Sequence, residues 1–178
     1  MRLLAIVSAF LLTACAAAEE PPAFPYFSEE GGRVRDLANI LSSAVEKRIT
    51  QRLEEAETNL GPQMVVVTVD TLHGYDIADF SLEYARAWGI GDKTRNDGLQ
   101  LMVAPNERKV RIEVGKGIEQ TFTDRYAKEV IDLMLPYFRN GDYDAGVDAG
   151  VSELIEQMRR HPTLPANDNS PQWERKAA

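Results

Sequence analysis

The chain has 178 residues and a formal charge of −8, from 20 Lys and Arg against 28 Asp and Glu. That length suits one domain of ordinary size, and the acidic balance argues against a nucleic-acid binder, which needs a basic footprint. One cysteine forbids an internal disulfide, and with only two histidines it leaves no closed His/Cys zinc site. A metal here would be held by oxygen, as a hard cation such as calcium or magnesium.

The amino terminus reads as an address. Arg2 is a positive n-region, and residues 3–12 form an apolar stretch too short to span a bilayer core of about 30 Å. Residues 1–14 are therefore predicted to be a signal peptide. Leu12-Thr13-Ala14-Cys15 resembles a bacterial lipobox, which implies cleavage before Cys15 and a lipid on its thiol. The alternative is ordinary cleavage after Ala18, because Ala16-Ala17-Ala18 also suits a signal peptidase. Prolines at 21, 22 and 25 oppose helix and central strand, so residues 15–32 are expected to be lipidated cysteine and tether. Residues 161–178, rich in proline and asparagine, are expected to be a disordered tail, which leaves a domain over residues 33–160.

Within that domain the periodicity sets the elements in order. Ser43 and Glu46 have the spacing of a capping box, and Val45, Ile49, Leu53, Ala56 and Leu60 follow on one helical face until Gly61-Pro62. Residues 63–69 are a β-branched run without polar alternation, a strand covered on both faces. Asp76 opens a second helix, with Ile77, Phe80, Tyr84 and Ala87 or Trp88 along one side, stopped at Gly89. These aromatics are expected in the core. Residues 99–104 form a second buried strand. Val110, Ile112 and Val114 alternate with Arg111 and Glu113, so a third strand returns antiparallel and half exposed. Asp36 is expected to cap a turn before the first helix. Thr123 or Asp124 starts a third helix that Pro136 ends. Residues 141–150 are expected to be loose, but Val147, Val151, Leu154, Ile155 and Met158 mark a last helix. There is no internal repeat. The prediction is a small three-layer α/β sandwich, Rossmann-like, with a mixed sheet and helices on both faces.

This order makes a prediction about chemistry. The loop between Gly89 and Gly98 enters the second strand at the end where the third strand finishes, at Gly115-Lys116-Gly117. Asp92, Asp97, Glu119 and Asp124 are thereby expected at one end of the sheet, among glycines that leave carbonyls free, a donor set suited to calcium or magnesium. A plainer reading stands beside it: Asp97 as an Asn-Asp-Gly turn residue, Asp124 as a helix cap, Glu119 as a solvated carboxylate. Arg95 and Lys116 are candidates to contact a phosphate, or solvated cations. Gly115-x-Gly117 is not a dinucleotide fingerprint, since Gln120 replaces the third glycine. His73 falls at the opposite end from Asp97. Ser42 and Ser43 are explained by capping, so a Ser/His/Asp triad has no support.

The run of residues 88–119, from Trp88-Gly89 through Asn96-Asp97-Gly98 to Gly115-Lys116-Gly117-Ile118-Glu119, resembles the TPM domain family. That family is named for a plant thylakoid-lumen protein, a cyanobacterial photosystem II subunit and a nematode receptor-auxiliary protein. Further matches are Val34-x-Asp36 before Leu41-Ser42, the strand at 65–69, and Leu135-Pro136-x-Phe138-Arg139-x-Gly141-Asp142-Tyr143 with Gly146. The resemblance implies an α/β sandwich displayed outside the cytoplasm, calcium binding, and in some members a weak acid phosphatase activity. It places Asp97 and Glu119 in the family's two glycine-flanked loops, Asp124 on the aspartate after them, and Asp36 on a further family aspartate, which the element order puts away from the cluster. Many bacterial members carry a carboxy-terminal transmembrane helix; here the lipid on Cys15 would substitute as the anchor.

The functional expectation is a non-enzymatic accessory, assembly or repair factor of envelope complexes, with a calcium site. The alternative is a metal-dependent phosphatase acting on phosphomonoesters. The expected location is the periplasm-facing bacterial envelope, with the outer membrane favoured because Ala16 is not aspartate; a soluble periplasmic protein is the alternative. Expected partners are the membrane through Cys15 and an envelope protein complex.

Overall fold

The computed structural model describes residues 32–162. The signal peptide, Cys15 with its tether up to residue 31, and the tail from residue 163 lie outside the described residues.

A four-stranded sheet has the order β1-β2-β3-β4, with β1 (Val34–Asp36), β2 (Gln63–Thr68) and β3 (Gly98–Ala104) parallel and β4 (Lys109–Val114) antiparallel to β3. Three helices, α1 (Ser43–Leu60), α3 (Asp124–Arg139) and α4 (Tyr143–Arg160), cover one face. There Ile49, Leu53, Met134, Val151 and Leu154 pack on Val66, Leu99, Leu101 and Ile112 of the sheet. The opposite face carries α2 (Ile77–Trp88), whose Phe80 and Tyr84 bury Val65, Val67 and Met102. The three-layer sandwich is thus present. Side chains alternate across each strand, so the apolar run of β2 and the run of β3, broken only by Gln100, serve both cores at once.

Four local details differ from the sequence reading. Val34–Asp36 is a strand rather than only a turn; three residues are too few to show alternation. Asp36 does cap the turn that leads into α1, accepting from the N–H groups of Ile40 (3.2 Å) and Leu41 (2.8 Å) and from the Thr68 hydroxyl. The cap of α1 is Ser42, whose hydroxyl accepts from Val45 N–H, so Ser43 is already helical. Pro136 does not end α3, which continues to Arg139; the proline forfeits the bond its N–H would have made to the Asp132 carbonyl, and the residues after it still complete the last turn. Finally, α4 begins at Tyr143, and Gly146 and Gly150 lie inside it. A Cβ on Gly146 would meet the Phe138 ring at 2.4 Å, and one on Gly150 the Met134 sulfur at 2.5 Å. Those glycines set the close approach of α3 and α4; they do not loosen the chain.

Candidate functional site

The predicted loops do meet at one end of the sheet, and what joins them is backbone. Gly89 ends α2 in the left-handed conformation (φ 68°), and the chain turns through Ile90 and Gly91. Gly91 N–H donates to the Gln63 side-chain oxygen at 2.6 Å, which ties the loop to the first residue of β2. Asp92 then closes a turn: its Oδ1 accepts from the N–H groups of Thr94 and Arg95, each at 2.9 Å, and its carbonyl accepts from Asn96 N–H at 2.7 Å.

The second loop comes after β4. Gly115 N–H donates to the Gly98 carbonyl at 2.8 Å, and Gly117 N–H to the Asn96 carbonyl at 2.9 Å. The approach is closer than any side chain allows. A Cβ would lie 2.2 Å from the Asn96 oxygen at Gly115 and 1.7 Å from the Arg95 oxygen at Gly117. The glycine pattern is therefore a steric requirement of two stacked loops, and it needs no phosphate to explain it.

Asp97 sits between them, 1% exposed. Its Oδ1 accepts from Asp92 N–H at 2.9 Å, and its Oδ2 accepts from Arg95 Nε at 2.7 Å. Arg95 also lies 3.7 Å from the Asp92 carboxylate, so one guanidinium serves two acids. A buried carboxylate needs such partners, because an unpaired one costs several kcal/mol, about 3–5 when a single partner is removed. Arg95 is thus the fixed counter-ion of Asp97.

The other predicted residues separate. Glu119 is exposed, and it lines a surface groove together with Asp92, Lys93, Lys116 and Glu113. Asp124 is the exposed first residue of α3, capped by Thr123, and it does not line that groove. Among the described residues, no three Asp, Glu, His or Cys side chains are placed to hold one metal ion. As arranged, Asp97 and Asp92 fit a guanidinium; calcium would take their oxygens only if Arg95 released them. His73 stands after β2, at the sheet end opposite Asp97, in a left-handed turn (φ 50°).

Three contributors escaped the sequence reading. Gln63 anchors the loop through its side chain. Arg35 of β1, 8% exposed, stacks its guanidinium on the Trp88 ring at 4.0 Å, beneath which Tyr84 meets Trp88 edge-on. Burial raises the Tyr84 phenol above its ordinary pKa, opposed by Arg35. Gln100 lies at the floor of the groove, 1% exposed, with neither side-chain nitrogen nor oxygen hydrogen-bonded among the described residues. The visible signal for Gln100 is one polar residue inside the apolar run of β3.

Fold and loops together define a small α/β sandwich domain whose distinguishing feature is a pair of glycine-locked loops at one sheet end. The TPM domain family model matches residues 34–157, nearly all of the described part. The chain belongs to the TPM domain family. The N-terminal domain of a P. gingivalis protein is similar at 34% identity and TM-score 0.67, covering 71% of this chain and 82% of that one. The N-terminal domain of a Corynebacterium glutamicum protein matches at 17% identity and TM-score 0.59, over 87% and 90%. A protein of the psychrophile Bizionia argentinensis matches at 18% and 0.64, over 74% and 90%. The last two show a shared fold. No curated protein matches the chain.

Proposed function

We propose that the chain is an envelope-displayed accessory domain that works by recognition and not by turnover. The observation that carries this reading is the state of Asp97: both carboxylate oxygens hold the loop together, one on Asp92 N–H and one on Arg95. A group so committed is unsuited to attack phosphorus or to activate water. The sequence features that support display are Arg2, the apolar residues 3–12 and Leu12-Thr13-Ala14-Cys15. Among the described residues no helix is long and apolar enough to cross a membrane.

Calcium belongs to this proposal as a competitor of Arg95: a bound ion would use Asp92 and Asp97 after displacing the guanidinium, and Arg95→Gln would then tighten calcium binding. The phosphatase alternative has one observation on its side. Lys93 and Lys116 line the same groove without an ion-pair partner among the described residues.

The test combines two measurements. The purified chain is assayed on p-nitrophenyl phosphate with calcium or magnesium, and cells lacking the gene are complemented with wild type, Asp97→Ala or Cys15→Ser. The proposal expects no saturable turnover, loss of complementation by Asp97→Ala, and release of the Cys15→Ser protein from membranes. Saturable hydrolysis that disappears in Asp97→Ala would replace it with the phosphatase.

A further inference from the structure

A second pocket lies at the opposite end of the sheet and has no part in the function proposed for the glycine-locked loops. It is a cavity of about 670 Å³ between the β3–β4 hairpin and the corner joining α3 to α4. Two stretches that carry the family resemblance meet there: Val103-Ala104-Pro105 with Arg108-Lys109-Val110, and Leu135 with Phe138-Arg139 and Tyr143. The volume is that of a small-molecule site.

Its walls are of two kinds. One is apolar: Leu135, Val110 and the Phe138–Tyr143 pair, whose ring centroids are 5.2 Å apart. The other is cationic: Arg108, Arg139 and Lys109. Lys109 is held by Asp76 at 3.5 Å, while Arg108 and Arg139 have no ion-pair partner among the described residues. No carboxylate lines the cavity among those residues. Arg108 also sits where the turn demands a left-handed backbone (φ 54°), its N–H donating to the Pro105 carbonyl at 3.1 Å. Glycine or asparagine suits that turn position better than arginine does.

Two unneutralised guanidiniums beside an aromatic and aliphatic wall are complementary to an anion that carries an apolar body. We infer that this cavity binds a monomeric anionic amphiphile, with its phosphate head on Arg108 and Arg139 and its hydrocarbon along Leu135, Phe138 and Val110. Free phosphate shares the head chemistry but leaves the apolar wall unused.

The test is a titration of the purified full chain, followed by backbone-amide NMR, with three probes: dihexanoyl phosphatidylglycerol below its micellar range, dihexanoyl phosphatidylcholine, and inorganic phosphate. The phosphatidylglycerol is expected to shift Val110, Leu135 and Phe138 saturably. Inorganic phosphate should bind about tenfold or more weakly, lacking the apolar contact, and phosphatidylcholine should not saturate. Arg108→Ala with Arg139→Ala should weaken the phosphatidylglycerol about tenfold or more. Both side chains are exposed, so the variant should keep its melting temperature. Absence of a saturable shift, equal binding by inorganic phosphate or by phosphatidylcholine, or an unchanged affinity in the folded double variant would each overturn the inference.

Discussion

Asp97 and Arg95 are two residues apart, and the first is buried while the second reaches solvent: Arg95 Nε donates to Asp97 Oδ2 at 2.7 Å across a tight turn. The arginine is 39% exposed in its side chain and the aspartate 2%. The pair therefore plugs the sheet end from outside. It converts a carboxylate that would otherwise be a free ligand into a strut between the α2–β3 loop and β3, and through Asn96 to the loop after β4.

If the two loops are stacked by steric necessity, Gly117→Ala must part them. Its Cβ would meet the Arg95 carbonyl oxygen at 1.7 Å, a backbone atom that cannot swing aside. A loss of about 2–4 kcal/mol is expected in chemical denaturation. Gly74→Ala is the control: its φ is positive (83°), a backbone strain that Gly117 does not carry, but nothing among the described residues lies within 4 Å of the added Cβ. It should cost only about 1 kcal/mol, the backbone term alone. Equal costs at the two positions would mean that the loops yield easily.

Gln100 offers the opposite sign. Its carboxamide is buried with no hydrogen-bond partner among the described residues, beside the apolar Met102 face of β3. Leucine has a similar volume and no polar atoms to desolvate. Gln100→Leu should stabilise the domain by about 1 kcal/mol in denaturant unfolding. A destabilised variant would reveal a bound water or ligand on the amide.

Alkaline solution should weaken the fold through its tyrosines. The Tyr126 hydroxyl donates to the Glu153 carboxylate at 2.8 Å, and burial followed by that hydrogen bond raises its pKa well above the ordinary 10.0. Tyr84 is raised by burial as well. A raised folded-state pKa means that the native chain keeps a proton the unfolded chain gives up. The stabilisation is thus complete below about pH 10 and is lost as pH climbs above it. Tyr126→Phe, which has no proton to lose, should flatten the decline in melting temperature above pH 10; an unchanged slope would remove Tyr126 as its source.

Legibility followed the range of each signal. Helix faces and buried strands were readable because a repeat such as Val45, Ile49 and Leu53 recurs within a few residues. Topology then brought Gly98 to Gly115 correctly, since a returning antiparallel strand leaves no other place for its end. The other readings changed where a residue's meaning is set by a partner that periodicity does not reveal, distant or two residues away. Gly146 and Gly150 look like breakers until Phe138 and Met134 are laid against them. Arg95 looks like a phosphate contact until Asp97 claims it. Glu119 and Asp124 are near in sequence, yet the single 3₁₀ turn at Lys116–Ile118 and the Thr123 cap leave both facing solvent.

The most direct measurement is a double-mutant cycle on Asp97 and Arg95 by urea unfolding of the purified chain, using Asp97→Ala, Arg95→Gln and the pair. If Asp97 is a strut held by Arg95, Asp97→Ala costs about 3 kcal/mol and the two positions couple by about 1–2 kcal/mol, so that the second substitution adds little to the first. Additive effects, or an Asp97→Ala variant as stable as wild type, would contradict it and return Asp97 to the pool of free carboxylates from which a metal site or a catalyst is built.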